Sequence, residues 1–279
     1  MPSEGEQDGA PRGLRTVASI GERAIENVAH VGAVWWLLWD TFSWVVRALF
    51  DRKVRVGRVA IIAQLVRIGV KSIFIVSLVS SAIGVILALN MAPPLETLGQ
   101  VERVPNIVAV AVLRELGPLI AAIVMVGFAG AAIAAEIGTM VVGEEIEALE
   151  AHALNPVRFL VVPRVIATII SLLCLATIAD AVAIGSAAML SKLVLEIPYE
   201  TYFANTIAQV DPRDFLTGIF KAGVFGLLIG LIACRNGLSV TGGAAGVGNA
   251  TTSTVVESVV AVVVADLLFT SIFYALGIV

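Results

Sequence analysis

The chain has 279 residues, of which 58% are hydrophobic and 14% are charged, and its mean hydropathy is +0.97. Soluble domains carry about 25% charged residues, so this composition excludes a soluble globular domain and indicates an integral membrane protein. The net charge of −4 is too small to indicate a partner, and we expect no nucleic acid. Cys174 and Cys234 have no paired Cys or His spacing around them, which argues against a disulfide, metal or redox site.

The N-terminal region divides into a polar tail and an aromatic segment. Residues 1–27 are polar and contain glycine and proline, so they predict a tail that precedes a single domain at 28–279. Residues 28–50 are apolar, are interrupted by charged residues and contain all four tryptophans. Tryptophan favours the headgroup layer of a membrane. The segment therefore predicts a helix in the membrane interface, and an ordinary first transmembrane helix is the alternative.

Five further segments are apolar enough to cross a bilayer as helices, which requires about 20 residues each. They are residues 71–92, 106–136, 163–190, 215–234 and 255–277. The first is expected to end at Pro93-Pro94. A dense basic run precedes it, and the positive-inside rule places this run and the N-terminus in the cytoplasm. Loops 95–104 and 197–214 are then external. The sequence thus predicts an all-α integral membrane protein.

Charged residues interrupt these apolar spans. They are Arg114, Glu115, Asp180, Lys221 and Asp266. Each would cost at least ~2.5 kcal/mol at a lipid-facing site in the middle of the bilayer, so each should face protein or a watery cavity. Adjacent residues on a helix point about 100° apart, so Arg114 and Glu115 do not pair with each other. We expect their partners to be Lys221 and Asp266. The pattern fits a structural ion-pair network or a cavity for a polar headgroup.

An acidic amphipathic segment, residues 143–155, connects the second and third spans. Ile146, Leu149 and Ala153 recur at helical spacing. The remaining faces carry Glu144, Glu145, Glu147 and Glu150. Asn155-Pro156 is expected to end this helix, because proline disfavours helical geometry in the residue before it. Two spans join this element, so a partner that moved it would move both spans. A solvated acidic face without a partner is the alternative.

Motifs for catalysis and nucleotide binding are absent from the sequence. The glycine-rich stretch 237–254 follows a membrane helix rather than a strand, and the chain has no GxxxxGK[ST], so a phosphate-binding loop is excluded. We expect a flexible cytoplasmic loop there. The chain also lacks HExxH and GxSxG, and its two histidines, His30 and His152, have no catalytic partners nearby in sequence. We therefore expect no catalytic residue and no directly bound cofactor.

Several short motifs occur together along the chain. They are Leu113-Arg-Glu-Leu-Gly-Pro118, Gly127-Phe-Ala-Gly130, Ala135-Glu-Ile-Gly138, Asn155-Pro-Val-Arg158, Pro163-Arg164, Phe220-Lys221, Gly248-Asn-Ala-Thr-Thr252 and Ala265-Asp266. In combination they resemble the MlaE/YrbE permease family, the membrane subunits of ABC transporters associated with MCE proteins. The resemblance covers about residues 20–279. One departure is Phe128, at a position where some family members carry arginine.

The resemblance implies a permease homodimer with an interfacial N-terminal helix and five spans per subunit, bound to two cytoplasmic ATPase subunits that hold ATP and Mg²⁺. An MCE-domain protein on the external face would exchange phospholipid with a cavity at the dimer interface. The family's charged pocket positions correspond to Arg114, Glu115, Lys221 and Asp266. The coupling helix seated in the ATPase would use Glu144, Glu145, Glu147, Leu149, Glu150, Asn155 and Pro156. The expected location is the inner membrane.

Two other functions are compatible with the residues. An ion- or proton-coupled secondary carrier would use the buried carboxylates as a relay and would need no ATPase. An intramembrane scaffold or lipid-modifying enzyme is the other alternative, and the absence of any catalytic motif argues against the enzyme.

Overall fold

The structure is a computed structural model that describes residues 32–44, 46–47 and 58–277. All regular secondary structure in these residues is helical, so the all-α fold predicted from the sequence is confirmed. The predicted polar tail 1–27 lies outside the described residues. So do the ends of the aromatic segment and most of the basic run that precedes the first span.

Eight helices, α1 to α8, follow one another in the described chain. The first, α1, covers residues 32–44 and 46–47. The others are α2 (Val59–Thr97), α3 (Val101–Val142), α4 (Glu145–Ala151), α5 (Val157–Val194), α6 (Tyr199–Gln209), α7 (Pro212–Leu238) and α8 (Gly243–Ala275). Helices α2, α3, α5, α7 and α8 are long and apolar enough to cross a membrane, which confirms the prediction of five such helices.

All five long helices begin before the segments predicted from hydropathy. Pro93-Pro94 does not end the first of them, because α2 continues to Thr97. Hydropathy locates only the part of a helix that lies in hydrocarbon, whereas the helix itself continues into the headgroup layer. Each proline leaves one carbonyl of the preceding turn without its helical N–H donor, and α2 accommodates this loss within its last turns.

The glycine-rich stretch 237–254 is not the flexible loop that the sequence suggested. Only residues 239–242 separate α7 from α8. Gly242 has a φ of +82°, in the left-handed region that glycine adopts without strain. A Cβ atom at Gly246 would collide with the carbonyl oxygen of Thr241. These glycines therefore allow a tight turn and a close backbone contact.

The external loop predicted at 197–214 contains helix α6. The Tyr202 side chain of α6 is fully buried in an apolar cluster with residues of α2, α3 and α5. The Asn205 side chain donates a hydrogen bond of 2.8 Å to the carbonyl oxygen of Glu102. Helix α6 is thereby held against the start of α3. The burial of Tyr202 raises the pKa of its hydroxyl to about 12, because the tyrosinate would lose its hydration.

Helix α5 is the centre of the bundle, and it packs against α2, α3 and α7. Close packing with α7 depends on small residues, since a Cβ atom at Gly226 would lie 2.8 Å from the Cα atom of Ile169. Small residues of this kind let membrane helices approach closely. Helix α8 packs against α3 and α7, and many of its apolar side chains are exposed.

Helix α1 lies against the end of the bundle that carries α4. Trp35, Trp36 and Trp39 are exposed. The guanidinium of Arg158, at the start of α5, lies 5.6 Å from the ring centroid of Trp44. A cation over an aromatic face is attracted by the ring electrons, so this contact attaches α1 to α5.

Candidate functional site

Four π-helical turns interrupt the long helices of the described chain. They are Leu65–Gly69 in α2, Val112–Leu116 and Val126–Gly130 in α3, and Val157–Val161 at the start of α5. Such turns are rare and occur frequently at functional sites. The first contains Arg67 and the second contains Arg114 and Glu115. Each of these charged residues belongs to one of two ionic clusters.

The first cluster joins α3, α7 and α8, and we name it the Lys221 cluster. It comprises Arg114, Glu115, Asp214, Lys221, Asp266 and Thr270. The Lys221 ammonium donates to Oε2 of Glu115 at 2.6 Å and to Oδ1 of Asp266 at 2.9 Å. It also donates to the Thr270 hydroxyl at 2.8 Å. An ammonium group has three N–H donors, so Lys221 is fully satisfied, and its side chain is only 1% exposed.

Arg114 has a different partner from the one predicted. Its Nε donates to Oδ1 of Asp214 at 2.6 Å, whereas the expected partner, Asp266, binds Lys221. The sequence placed Asp214 in an external loop, but Asp214 lies in the first turn of α7 and accepts a hydrogen bond from the Asp211 amide. The Asp211-Pro212 start and this reciprocal capping are recognisable signals of a helix N-terminus, and they could have placed Asp214 on α7.

The exposure of the charged groups differs within the Lys221 cluster. The Asp214 side chain is 2% exposed, whereas those of Arg114 and Glu115 are 28% and 33% exposed. Among the described residues, Arg114 forms a hydrogen bond only through Nε, so its two terminal nitrogens retain N–H donors. The cluster therefore combines a buried, satisfied lysine with an accessible cation and an accessible carboxylate.

An aromatic patch borders the Lys221 cluster. Phe220 and Phe269 meet edge to face with their ring centroids 5.4 Å apart, and Phe269 stacks on Phe273 at 5.9 Å. Phe220 is adjacent in sequence to Lys221 and is 54% exposed. Charged and apolar surfaces thus lie side by side within the membrane-spanning region.

Asp180, the remaining charged residue predicted inside a span, does not join this cluster. It is buried on α5, and its Oδ1 atom has no hydrogen-bond partner among the described residues. A Cβ atom at Gly117 of α3 would collide with that oxygen. Asp180 therefore lies at a close contact between α3 and α5.

A second cluster, which was not predicted from the sequence, joins α2, α3 and α5. We name it the Glu136 cluster, and it comprises Arg67, Glu136 and Arg164. Glu136 Oε2 lies 2.7 Å from Arg67 Nη1, and Oε1 lies 3.2 Å from Arg164 Nη2. The rise of an α-helix is about 1.5 Å per residue, so Glu115 and Glu136 are about 30 Å apart along α3. The two clusters therefore lie towards opposite faces of the membrane.

The acidic connection between α3 and α5 is shorter than predicted. Instead of residues 143–155, helix α4 covers Glu145–Ala151, and Ala153 has a positive φ of 58° that does not continue it. Asn155-Pro156 belongs to the next helix, since Asn155 Oδ1 accepts a hydrogen bond from the Arg158 amide. The four glutamates are exposed: Glu144, Glu145, Glu147 and Glu150. Leu149 is half-buried. Glu145 and Glu147 lie in the first turn of α4, where their negative charge interacts favourably with the helix dipole and stabilises the helix.

One protein family matches this chain over both clusters and the acidic connection. Residues 61–272 match the family model described as Permease MlaE. The chain belongs to the MlaE permease family. It is accordingly a membrane permease subunit, a multi-pass membrane protein with a transport role, and its predicted family is confirmed.

Individual relatives agree with this assignment. A probable ABC transporter permease protein of Rickettsia felis is 33% identical over 261 residues, which cover 94% of this chain and 98% of the relative. A protein with the same name from Rickettsia bellii is 36% identical, covering 77% of this chain and 83% of the relative. The chloroplastic protein TRIGALACTOSYLDIACYLGLYCEROL 1 of Arabidopsis thaliana is 36% identical, covering 76% and 60% respectively.

Proposed function

We propose that this MlaE permease is the transmembrane subunit of an ATP-driven ABC transporter that moves phospholipids between the inner membrane and the outer envelope. The observation that carries the proposal is the Lys221 cluster, whose accessible charges lie beside exposed aromatic rings within the spans. A phospholipid has a charged headgroup and apolar chains, so it complements both surfaces. The name of the Arabidopsis relative contains that of a galactolipid, which also supports a lipid substrate.

The contacts within the Lys221 cluster suggest a separate task for each residue. Arg114 has unused donors and is the residue we assign to the lipid phosphate, because guanidinium groups bind phosphate through paired hydrogen bonds. Glu115 and Asp266 are acceptors for the polar groups of the headgroup. Lys221 is buried and satisfied, so it positions these two carboxylates. The exposed ring of Phe220 contacts the acyl chains.

A homodimer would explain the exposure of this cluster. In a single subunit, the partly exposed side chains of Arg114 and Glu115 would face lipid, and charged groups that face hydrocarbon are costly. A second copy packed against the exposed face of α8 would enclose these charges in a cavity. Helix α8 borders the cluster through Asp266 and Thr270, so the dimer contact and the lipid cavity would be adjacent.

Helix α4 is our candidate for coupling to a cytoplasmic ATPase, which would bind ATP and Mg²⁺. It connects α3 directly to α5, and its glutamates are exposed. Closure of the ATPase would tilt α4 and thereby move the ends of both spans. With the N-terminus in the cytoplasm, α6 lies on the external side, where an MCE-domain protein would exchange lipid with the cavity.

The test replaces the accessible cation. R114Q/D214N removes the ion pair without leaving the buried Asp214 charge unpaired, and R103Q is the matched control because Arg103 is exposed at the start of the same helix. Loss of a hydrogen bond to a charged group is worth about tenfold in affinity. We therefore expect R114Q/D214N to carry about tenfold less phospholipid after purification, measured by mass spectrometry, and to slow lipid transfer by the ATPase-bound complex.

Equal lipid occupancy and transfer in R114Q/D214N and R103Q would contradict the lipid-site proposal. Transport that requires a pH gradient and no ATPase would instead favour a proton-coupled carrier.

A further inference from the structure

A cavity of about 100 Å³ lies between α2 and α3, at the end of the bundle that carries α4. Its lining includes Gln64, Arg67 and Lys71 from α2, and Phe128, Ile133 and Glu136 from α3. A cavity needs only about 10–15 Å³ to hold one water molecule, so this one has room for a small polyatomic group. Its lining on α3 lies about 20 to 30 Å along the helix from Glu115 of the Lys221 cluster, by the helical rise of about 1.5 Å per residue.

Positive charge exceeds negative charge around the cavity. Arg67 and Arg164 share the single carboxylate of Glu136. Lys71 is exposed at the cavity, and it forms no ion pair within the part of the chain that the structure describes. The lining therefore carries a net positive charge, and this charge attracts an anionic group.

The depth of the cavity matches the boundary between hydrocarbon and headgroups. Arg67 is eight residues from the start of α2 and Glu136 is six residues from the end of α3, or about 12 Å and 9 Å from the helix ends. The two helices have 39 and 42 residues, about twice the length that crosses the hydrocarbon core. The cavity is therefore near the boundary between hydrocarbon and headgroups.

Exposed apolar side chains lie near the cavity. Phe128 lines it and is 44% exposed, and Val66, Val70 and Phe74 are exposed in the same region of α2. A ligand with an anionic head inside the cavity and an apolar body outside it would satisfy both surfaces. Arg and Lys are the side chains that bind phosphate most strongly, through charge-assisted hydrogen bonds.

We propose that this cavity binds a phosphate group of an anionic phospholipid from the leaflet on the α4 side, with Arg67 and Lys71 as its ligands. Glu136 competes with the phosphate for Arg67. Binding would therefore loosen the contact of Glu136 with α2 and change the packing of α2, α3 and α5 near α4. The site is separate from the Lys221 cluster and requires only that α2 and α3 cross the membrane.

The test measures lipid binding by the purified full-length protein, using native mass spectrometry in neutral detergent with added phosphatidylglycerol. We expect K71Q to bind this lipid about tenfold more weakly, the effect of one charge-assisted hydrogen bond. We expect E136Q to bind it more tightly, because Arg67 loses its competing partner. K192Q is the matched control, since Lys192 is an exposed lysine at the other end of the bundle. Opposite effects in K71Q and E136Q would exclude general destabilisation as the cause.

Two parallel titrations identify the source of the phosphate. Phosphatidylcholine, which has no net charge, should bind more weakly than phosphatidylglycerol and should respond less to K71Q. Inorganic phosphate should not displace the lipid. Equal losses in K71Q and K192Q, or no gain in E136Q, would overturn the site. Binding of inorganic phosphate in place of the lipid would overturn the lipid source. Lipid transfer through the Lys221 cluster, measured with R114Q/D214N, is independent of these outcomes.

Discussion

Replacement of Lys221 by methionine tests whether the Lys221 cluster holds three helices together. The substitution removes one buried cation and leaves Glu115 and Asp266 without their shared partner. Breaking a buried ion pair by removing one partner destabilises a protein by about 3–5 kcal/mol. The Glu115 side chain is one-third exposed and regains some hydration, so we expect a loss of about 3 kcal/mol.

The assay is unfolding by sodium dodecyl sulfate in mixed micelles, followed by far-ultraviolet circular dichroism. Tryptophan fluorescence would report on the wrong region, because all four tryptophans lie between residues 28 and 50. K192M is the control, since it removes an exposed lysine from the far end of α5. The triple variant E115Q/K221M/D266N has no unpaired charge and should recover most of the stability, because a well-packed neutral core can replace a buried ion pair.

The result that would refute this reasoning is equal stability of K221M and K192M. A triple variant that is less stable than K221M would also refute it, because the destabilisation would then arise from the loss of packing or hydrogen bonds and not from unpaired charge.

Two further predictions concern the two ends of the bundle. Charge reversal at Glu144, Glu145 and Glu147 should release a co-purifying ATPase and abolish ATP-driven lipid transfer, whereas reversal of the exposed Glu200 on α6 should do neither; an ATPase that stays bound to the α4 variant would contradict the coupling role. Burial raises the pKa of the Tyr202 hydroxyl to about 12, from about 10 in an unfolded chain. The folded state therefore keeps this proton up to a higher pH than the unfolded state does. As a result, the protein loses stability as the pH rises from about 10 to 12. Thermal unfolding between pH 9 and 11 should therefore show a smaller loss in Y202F than in the parent, and parallel losses would contradict this assignment.

The candidate site was only partly predictable. The charges inside the spans were visible in the sequence, since each interrupts an apolar run, and four of them do lie in the Lys221 cluster. The pairing of Arg114 with Asp214 was not visible, because hydropathy ended the preceding loop at Asp214. The Glu136 cluster was also missed, since Arg67 and Arg164 look like ordinary cytoplasmic charges when only topology is considered.

The acidic connection between α3 and α5 was also only partly predictable. Its amphipathic pattern predicted a helix between two spans, and a helix is present at Glu145–Ala151. Its end was predicted wrongly because Asn155-Pro156 can either stop one helix or start the next. The hydrogen bond from the Arg158 amide to Asn155 decides in favour of the start of α5.

The sequence by itself determined that the protein lies in a membrane, that it is helical and that it has five long apolar helices. These follow from local composition, because lipid cannot satisfy backbone hydrogen bonds and a chain must satisfy them within each span or in a closed barrel. Only the tertiary structure decided which charges meet. Arg114 and Asp214 are 100 positions apart, and their contact depends on the faces that α3 and α7 present to each other. Those faces are set by close packing, as at Gly226 against α5, and by π-helical turns that shift the side chains around each helix.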